Sequence, residues 1–206
     1  MNKHLDKLKK RLYFNNNLFV FLFVLILVGV GAGALFSTIL NTADKHVVST
    51  YLNNFFTQFS GDMNISFFNN FVFTLGFAFI IWIFGISVIG ILLILPFLFF
   101  KAFVLGFGIG SILINYKFKG IIFSLICVVP HRVVNLLIYV LISAYALMIS
   151  YRMIVSMKDR KSFDFRLFMN RYLFILFFSF FILSITSLYE SFVLPYFMKF
   201  IVNLLK

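Results

Sequence analysis

The chain alternates long runs of apolar residues with short polar stretches, and the longest run, Phe71 to Tyr116, holds one charge, Lys101. About 20 apolar helical residues cross a bilayer, so this run is long enough to go across and return. No polar loop separates the passes. The expected turn lies at Gly85-Ile86-Ser87-Val88-Ile89-Gly90 or at Pro96, and neighbouring helices must shield the backbone it frees. Three further spans are predicted: Leu18 to Leu40, Arg132 to Tyr151, and Tyr172 to Leu194. In the first, Gly29, Gly31 and Gly33 would let another helix come close. Ile121 to Val129, ahead of Pro130-His131-Arg132, reads as a short re-entrant or interfacial piece. The fold class is therefore all-α: a polytopic transmembrane helical bundle of about five spans, with interrupted or re-entrant helices.

The polar stretches complete one integral membrane domain over residues 1–206. Residues 1–17 form a basic tail, either a short helix on anionic headgroups or a frayed segment that only sets topology. Residues 41–70 form an amphipathic loop in which Val48, Leu52, Phe55, Phe56 and Phe59 repeat at helical spacing. That stripe either rests on the lipid interface or docks a partner. Residues 195–206 read as an interfacial helix opened by Pro195. Composition agrees: 63% of the residues are hydrophobic, more than a soluble chain of this length could hide.

Charge fixes the expected orientation. Eleven of the 18 Lys and Arg lie in residues 1–17 and 152–171, and both clusters belong in the cytoplasm by the positive-inside rule. The layout is N-in and C-out, with 41–70 and 195–206 external. The net charge of +12 belongs to topology and not to nucleic-acid binding. The first apolar run exceeds a signal-peptide core and reads as an uncleaved anchor. The single cysteine, Cys127, excludes an internal disulfide and a cysteine metal site.

Candidate chemistry is sparse. The three histidines stand at no metal-ligand spacing from a carboxylate, and no catalytic or nucleotide motif is present, so neither an enzyme nor a cofactor is expected. Polar or structural groups at membrane depth are Lys101, Pro130, His131, Arg132, Asn135 and Glu190. Lys101 reads either as an anchor snorkelling to an interface or as an intramembrane functional charge. His131 and Asn135, at i and i+4, either line an ion or substrate path or satisfy a helix start, with Arg132 on lipid phosphate.

The stretches Trp82-Ile83-Phe84-Gly85-Ile86-Ser87-Val88-Ile89-Gly90, Phe99-Phe100-Lys101-Ala102-Phe103-Val104-Leu105-Gly106-Phe107 and Val129-Pro130-His131 resemble the stage II sporulation protein M family over nearly the whole chain. That resemblance implies a Pro-His-Gly-x-x-Glu pattern at 130–135. Here Arg132 replaces the glycine and Asn135 the glutamate. It also implies a scaffold without a hydrolase site of its own. Its partners at the septal and engulfing membrane would be the cell-wall hydrolases stage II sporulation proteins D and P. Membrane lipid is the other expected partner, and self-association stays open. The rival reading is a small-solute or lipid permease using the broken helices at Gly85–Gly90 and Pro130–Arg132.

Overall fold

A computed structural model describes residues 16–59, 67–87, 89–159 and 165–205. The basic tail before Asn16 and the loops 60–66 and 160–164 lie outside them. All described elements are helical: α1 (Asn16–Ile39), α2 (Thr42–Phe59), α3 (Phe67–Ile86), α4 (Gly90–Phe123), α5 (Val129–Asp159), α6 (Phe165–Leu188) and α7 (Leu194–Leu205). A π-helical turn at Ser124–Val128 joins α4 to α5, and a second at Tyr189–Val193 joins α6 to α7.

Four helical stretches are long and apolar enough to cross a membrane, and the third, Gly90–Ser156, runs for 67 residues. As one rod it would be about 100 Å long, three bilayers deep. It doubles back instead. Lys117 has φ 49° and ψ −126°, the first corner of a type II′ turn and a conformation usually left to glycine. A Cβ on Gly120 would lie 2.6 Å from the Ile112 carbonyl oxygen, so the chain after Lys117 folds against α4. The chain therefore makes five passes.

Contacts fix the relative directions. Gly29 faces Ala102, Gly33 faces Phe103 and Gly110 faces Ala34, so α1 and α4 run parallel. They touch backbone to backbone: a Cβ on Gly33 would overlap the Phe103 carbonyl, and one on Gly106 the Val30 carbonyl. The pairs Gly29/Gly33 and Gly106/Gly110 are each four residues apart, one face of a helix. Gly31 faces open space, so the close approach uses two of the three glycines in α1. The α3 segment runs against α4, with Phe77 stacked on Phe97 at 4.9 Å. It runs beside α5 in the same direction, Thr74 meeting Tyr139 and Gly85 meeting Ser150. The α6 segment opposes both, with Tyr172 near Trp82 and Thr186 at Asn135.

The turn between α3 and α4 falls at residues 87–89, and Pro96 stays inside α4. Its shielding comes from two hydroxyls. Ser150 Oγ lies 3.0 Å from the carbonyls of both Gly85 and Ser87, and Tyr172 donates to the Trp82 carbonyl at 2.9 Å. These satisfy helix-end acceptors that hydrocarbon cannot. The core between the helices holds Leu22, Ile81, Leu98, Tyr139, Ile142 and Leu183. Outward-facing Phe21, Phe73, Phe100, Phe174 and Phe181 are exposed, which suits a surface solvated by lipid.

At the end of the bundle marked by Ile39 and Lys117, a second small core joins Ile112, Phe123, Cys127, Leu194 and Met198, with Leu52 of α2 against it. Tyr116 donates to Asn53 Oδ1 at 2.6 Å. Helices α2 and α7 and the α4 hairpin thus form a packed cap. Val48 and Leu52 are half-buried and line an apolar groove of about 470 Å³ beside Phe107 and Met198. The side chains of Phe55, Phe56 and Phe59 lie outside those described.

Candidate functional site

Both π turns have the same cause. A proline has no N–H and its ring collides with the carbonyl four residues back. Pro130 denies a donor to Ile126, and Pro195 denies one to Ser191. The helix widens just ahead of each proline. The Val129 N–H bonds Ser124 O, and the Leu194 N–H bonds Tyr189 O, each reaching five residues back. The break expected at Pro130 therefore does not occur. Ile121 to Val129 is not re-entrant; it belongs to a helix that continues into α5. Pro195 does stand in the first turn of α7, but no loop precedes that helix.

The two widened turns lie side by side, with the His131 and Tyr189 rings 6.3 Å apart. A π turn carries one residue more than an α turn, which re-aims the side chains around it. Glu190, inside the second turn, meets the residues following the first. Arg132 Nη2 donates to Glu190 Oε1 at 2.8 Å, and His131 Nε2 lies 3.7 Å from the same oxygen. The bond to Arg132 is charge-assisted; the histidine contact is too long for a hydrogen bond. His131 is buried, and among the described residues its Nδ1 has no partner, nor has Glu190 Oε2. Arg132 pairs with this carboxylate rather than with the lipid phosphate expected for it. Asn135 stands where the resemblance places a glutamate, and the carboxylate beside His131 comes instead from the π turn that follows α6. Asn135 accepts a 2.6 Å hydrogen bond from Thr186 through Oδ1.

Lys101 is turned inward as well. It stands about 16 Å along α4 from Gly90 and about 21 Å from Asn115, near mid-span. Its Nζ sits 4.6 Å above the Phe77 ring and 5.9 Å from that of Tyr139, cation–π distances. Of the two readings of Lys101, the snorkelling anchor does not fit this inward placement. Between α3, α4 and α5 lies a cavity of about 240 Å³, lined by Thr74, Lys101, Gly108, Arg132, Asn135 and Tyr139 among others. Of the residues singled out in the sequence, Lys101, Arg132 and Asn135 meet at this cavity. His131 and Glu190 adjoin it through Arg132. Val48 and Leu52 belong to the cap, away from the ion pair.

Sequence reasoning did not join Glu190 to Arg132, nor assign roles to Thr186 and Tyr139. No local rule singled out the widened turns: Pro130 and Pro195 each follow one, whereas Pro96 stays inside α4 without one.

Five apolar passes around an ion pair and a cavity reached by Lys101, Arg132 and Asn135 define a polytopic α-helical membrane protein. The family model "Stage II sporulation protein M" matches residues 20–195. The chain belongs to that family, and membership places it among proteins of sporulation. No curated protein and no solved structure matches the chain.

Proposed function

We propose that the chain is a non-enzymatic membrane scaffold of the engulfment machinery. It holds peptidoglycan hydrolases, stage II sporulation proteins D and P, at the septal membrane. Family membership supports the sporulation setting. The observation that carries the scaffold reading is the packed cap of α2, α7 and the α4 hairpin, built at one end of the bundle. Scaffolding needs a rigid surface outside the hydrocarbon, and the cap leaves Val47, Tyr51, Tyr196 and Phe197 exposed there. Orientation follows from charge. Arg152 and Arg171 lie at the opposite end, where the Lys- and Arg-rich segments 1–15 and 160–164 also join the bundle, so that end is cytoplasmic and the cap external.

The docking face lies on α2, beside the half-buried members of the expected stripe. Val48 and Leu52 pack toward the bundle, so Val47 and Tyr51, 53% and 73% exposed, are the side chains free to meet a partner. Val47→Asp with Tyr51→Asp should abolish co-purification of both hydrolases in detergent while the protein stays inserted and abundant. Unchanged co-purification would overturn the docking face. The competing reading, transport, is favoured by the cavity at Lys101 and Arg132; it predicts that cavity variants stop function while the hydrolases are still recruited.

A further inference from the structure

From the donor and acceptor inventory of the cavity between α3, α4 and α5, we infer that it is a binding site for a phosphate-bearing anion. The two cations lining it, Lys101 and Arg132, face a single carboxylate, Glu190, whose Oε1 is taken by Arg132. Lys101 has no ion-pair partner among the described residues; only aromatic faces meet its Nζ. Two of the acceptors at the cavity are engaged. Asn135 Oδ1 is held by Thr186, and the Thr74 carbonyl receives the Tyr139 hydroxyl at 3.1 Å. The charged and amide groups left toward the space are donors, namely the Lys101 ammonium, the rest of the Arg132 fork and the Asn135 amide nitrogen, beside the Thr74 hydroxyl, which can donate or accept.

Three donor groups with one surplus positive charge, set among Val104, Leu105, Val128 and Leu136 at a depth where lipid supplies no acceptor, are complementary to an oxyanion. Lys101 comes from α4, and Arg132 and Asn135, three residues apart, from the facing α5. Donors converging from two sides suit a tetrahedral acceptor better than a flat carboxylate. The space is not sealed, because Val104 and Arg132, which line it, are exposed. The anion is either a free phosphate compound or the headgroup of an acidic phospholipid drawn below the interface. The inference does not depend on the scaffold reading, since it concerns occupancy of the interior and not the cap.

The test uses the full chain in an uncharged maltoside detergent. One arm measures equilibrium binding of radiolabelled inorganic phosphate. The other measures, by native mass spectrometry, retention of phosphatidylglycerol against phosphatidylcholine from mixed micelles. We expect one ligand per chain. Lys101→Met should weaken it at least ~10-fold, the worth of a charge-assisted contact. Gly108→Leu should abolish it with every charge in place, because Gly108 lines the space and a Cβ there meets nothing within 4 Å. Phosphate binding identifies a soluble anion, and selective retention of phosphatidylglycerol alone identifies a headgroup. Absence of both, or wild-type binding by Gly108→Leu, overturns the inference. Should Lys101→Met fail to fold, Gly108→Leu decides the matter alone.

Discussion

Removing the Arg132–Glu190 pair one partner at a time should give unequal results. The Glu190 side chain is 10% exposed and that of Arg132 is 44% exposed. Glu190→Gln leaves a guanidinium that already reaches the surface, so the loss is one charge-assisted hydrogen bond, about 1–2 kcal/mol. Arg132→Met leaves a carboxylate inside the bundle, with Oε2 already unpartnered. Stranding a buried charge costs about 3–5 kcal/mol. His131 Nε2, 3.7 Å away, can partly replace the arginine, so the lower end of that range is expected. The double variant strands nothing and should lie within about 1 kcal/mol of wild type. Cys127, the chain's single cysteine and fully buried, provides the assay. A thiol-reactive dye reports its exposure during unfolding in mixed micelles. Equal costs for the two single variants, or a double variant costing their sum, would refute the reasoning.

Gly33→Leu should cost a few kcal/mol, about 3, in the same assay by forcing α1 off α4. Gly31→Leu, whose side chain would enter open space, should be nearly neutral. Pro130→Leu restores an N–H that can bond Ile126 O, which allows the widened turn to close to regular α geometry. Losing one residue's worth of register turns the helix by roughly 100°, enough to carry Arg132 away from Glu190. On a Cys127→Ser background, the pair Arg132→Cys with Glu190→Cys should be bridged by a short bifunctional thiol reagent when residue 130 is proline and fail to be bridged when it is leucine.

The apolar runs made the passes legible, and the demand that a turn in lipid be shielded anticipated Ser150 and Tyr172 in kind, though not by name. Clustered glycines in α1 foretold close packing, and the structure selects Gly29 and Gly33 because a helix presents every fourth residue to its neighbour. The widened turns were hidden for a physical reason. An inserted residue shifts helical phase, and a run that is apolar all round has no phase to read. The direction of Lys101 was unreadable for the same reason, since its helix offers no polar face to show which way the amine points. Glu190 lies 58 residues from Arg132, beyond any local spacing rule. Val48 and Leu52 form a true apolar stripe, but lipid, a partner and the bundle are equally good acceptors of one. Only the fold chooses among them.

The parallel pairing of α1 with α4 has a consequence for biogenesis. Nearly all of α1's packing is on α4, and the residue that Gly33 presses against, Phe103, is made 70 positions later. At roughly 5–20 residues per second, the ribosome takes roughly 4–14 s to deliver it. During that interval the first helix has left the ribosome with its glycine face open to lipid, while α2 and α3 are still emerging. The hairpin of α3 and α4 must then swing so that α4, and not the earlier α3, takes up that face. Folding is therefore not sequential from the amino terminus, and α1 is the segment that insertion chaperones have longest to hold.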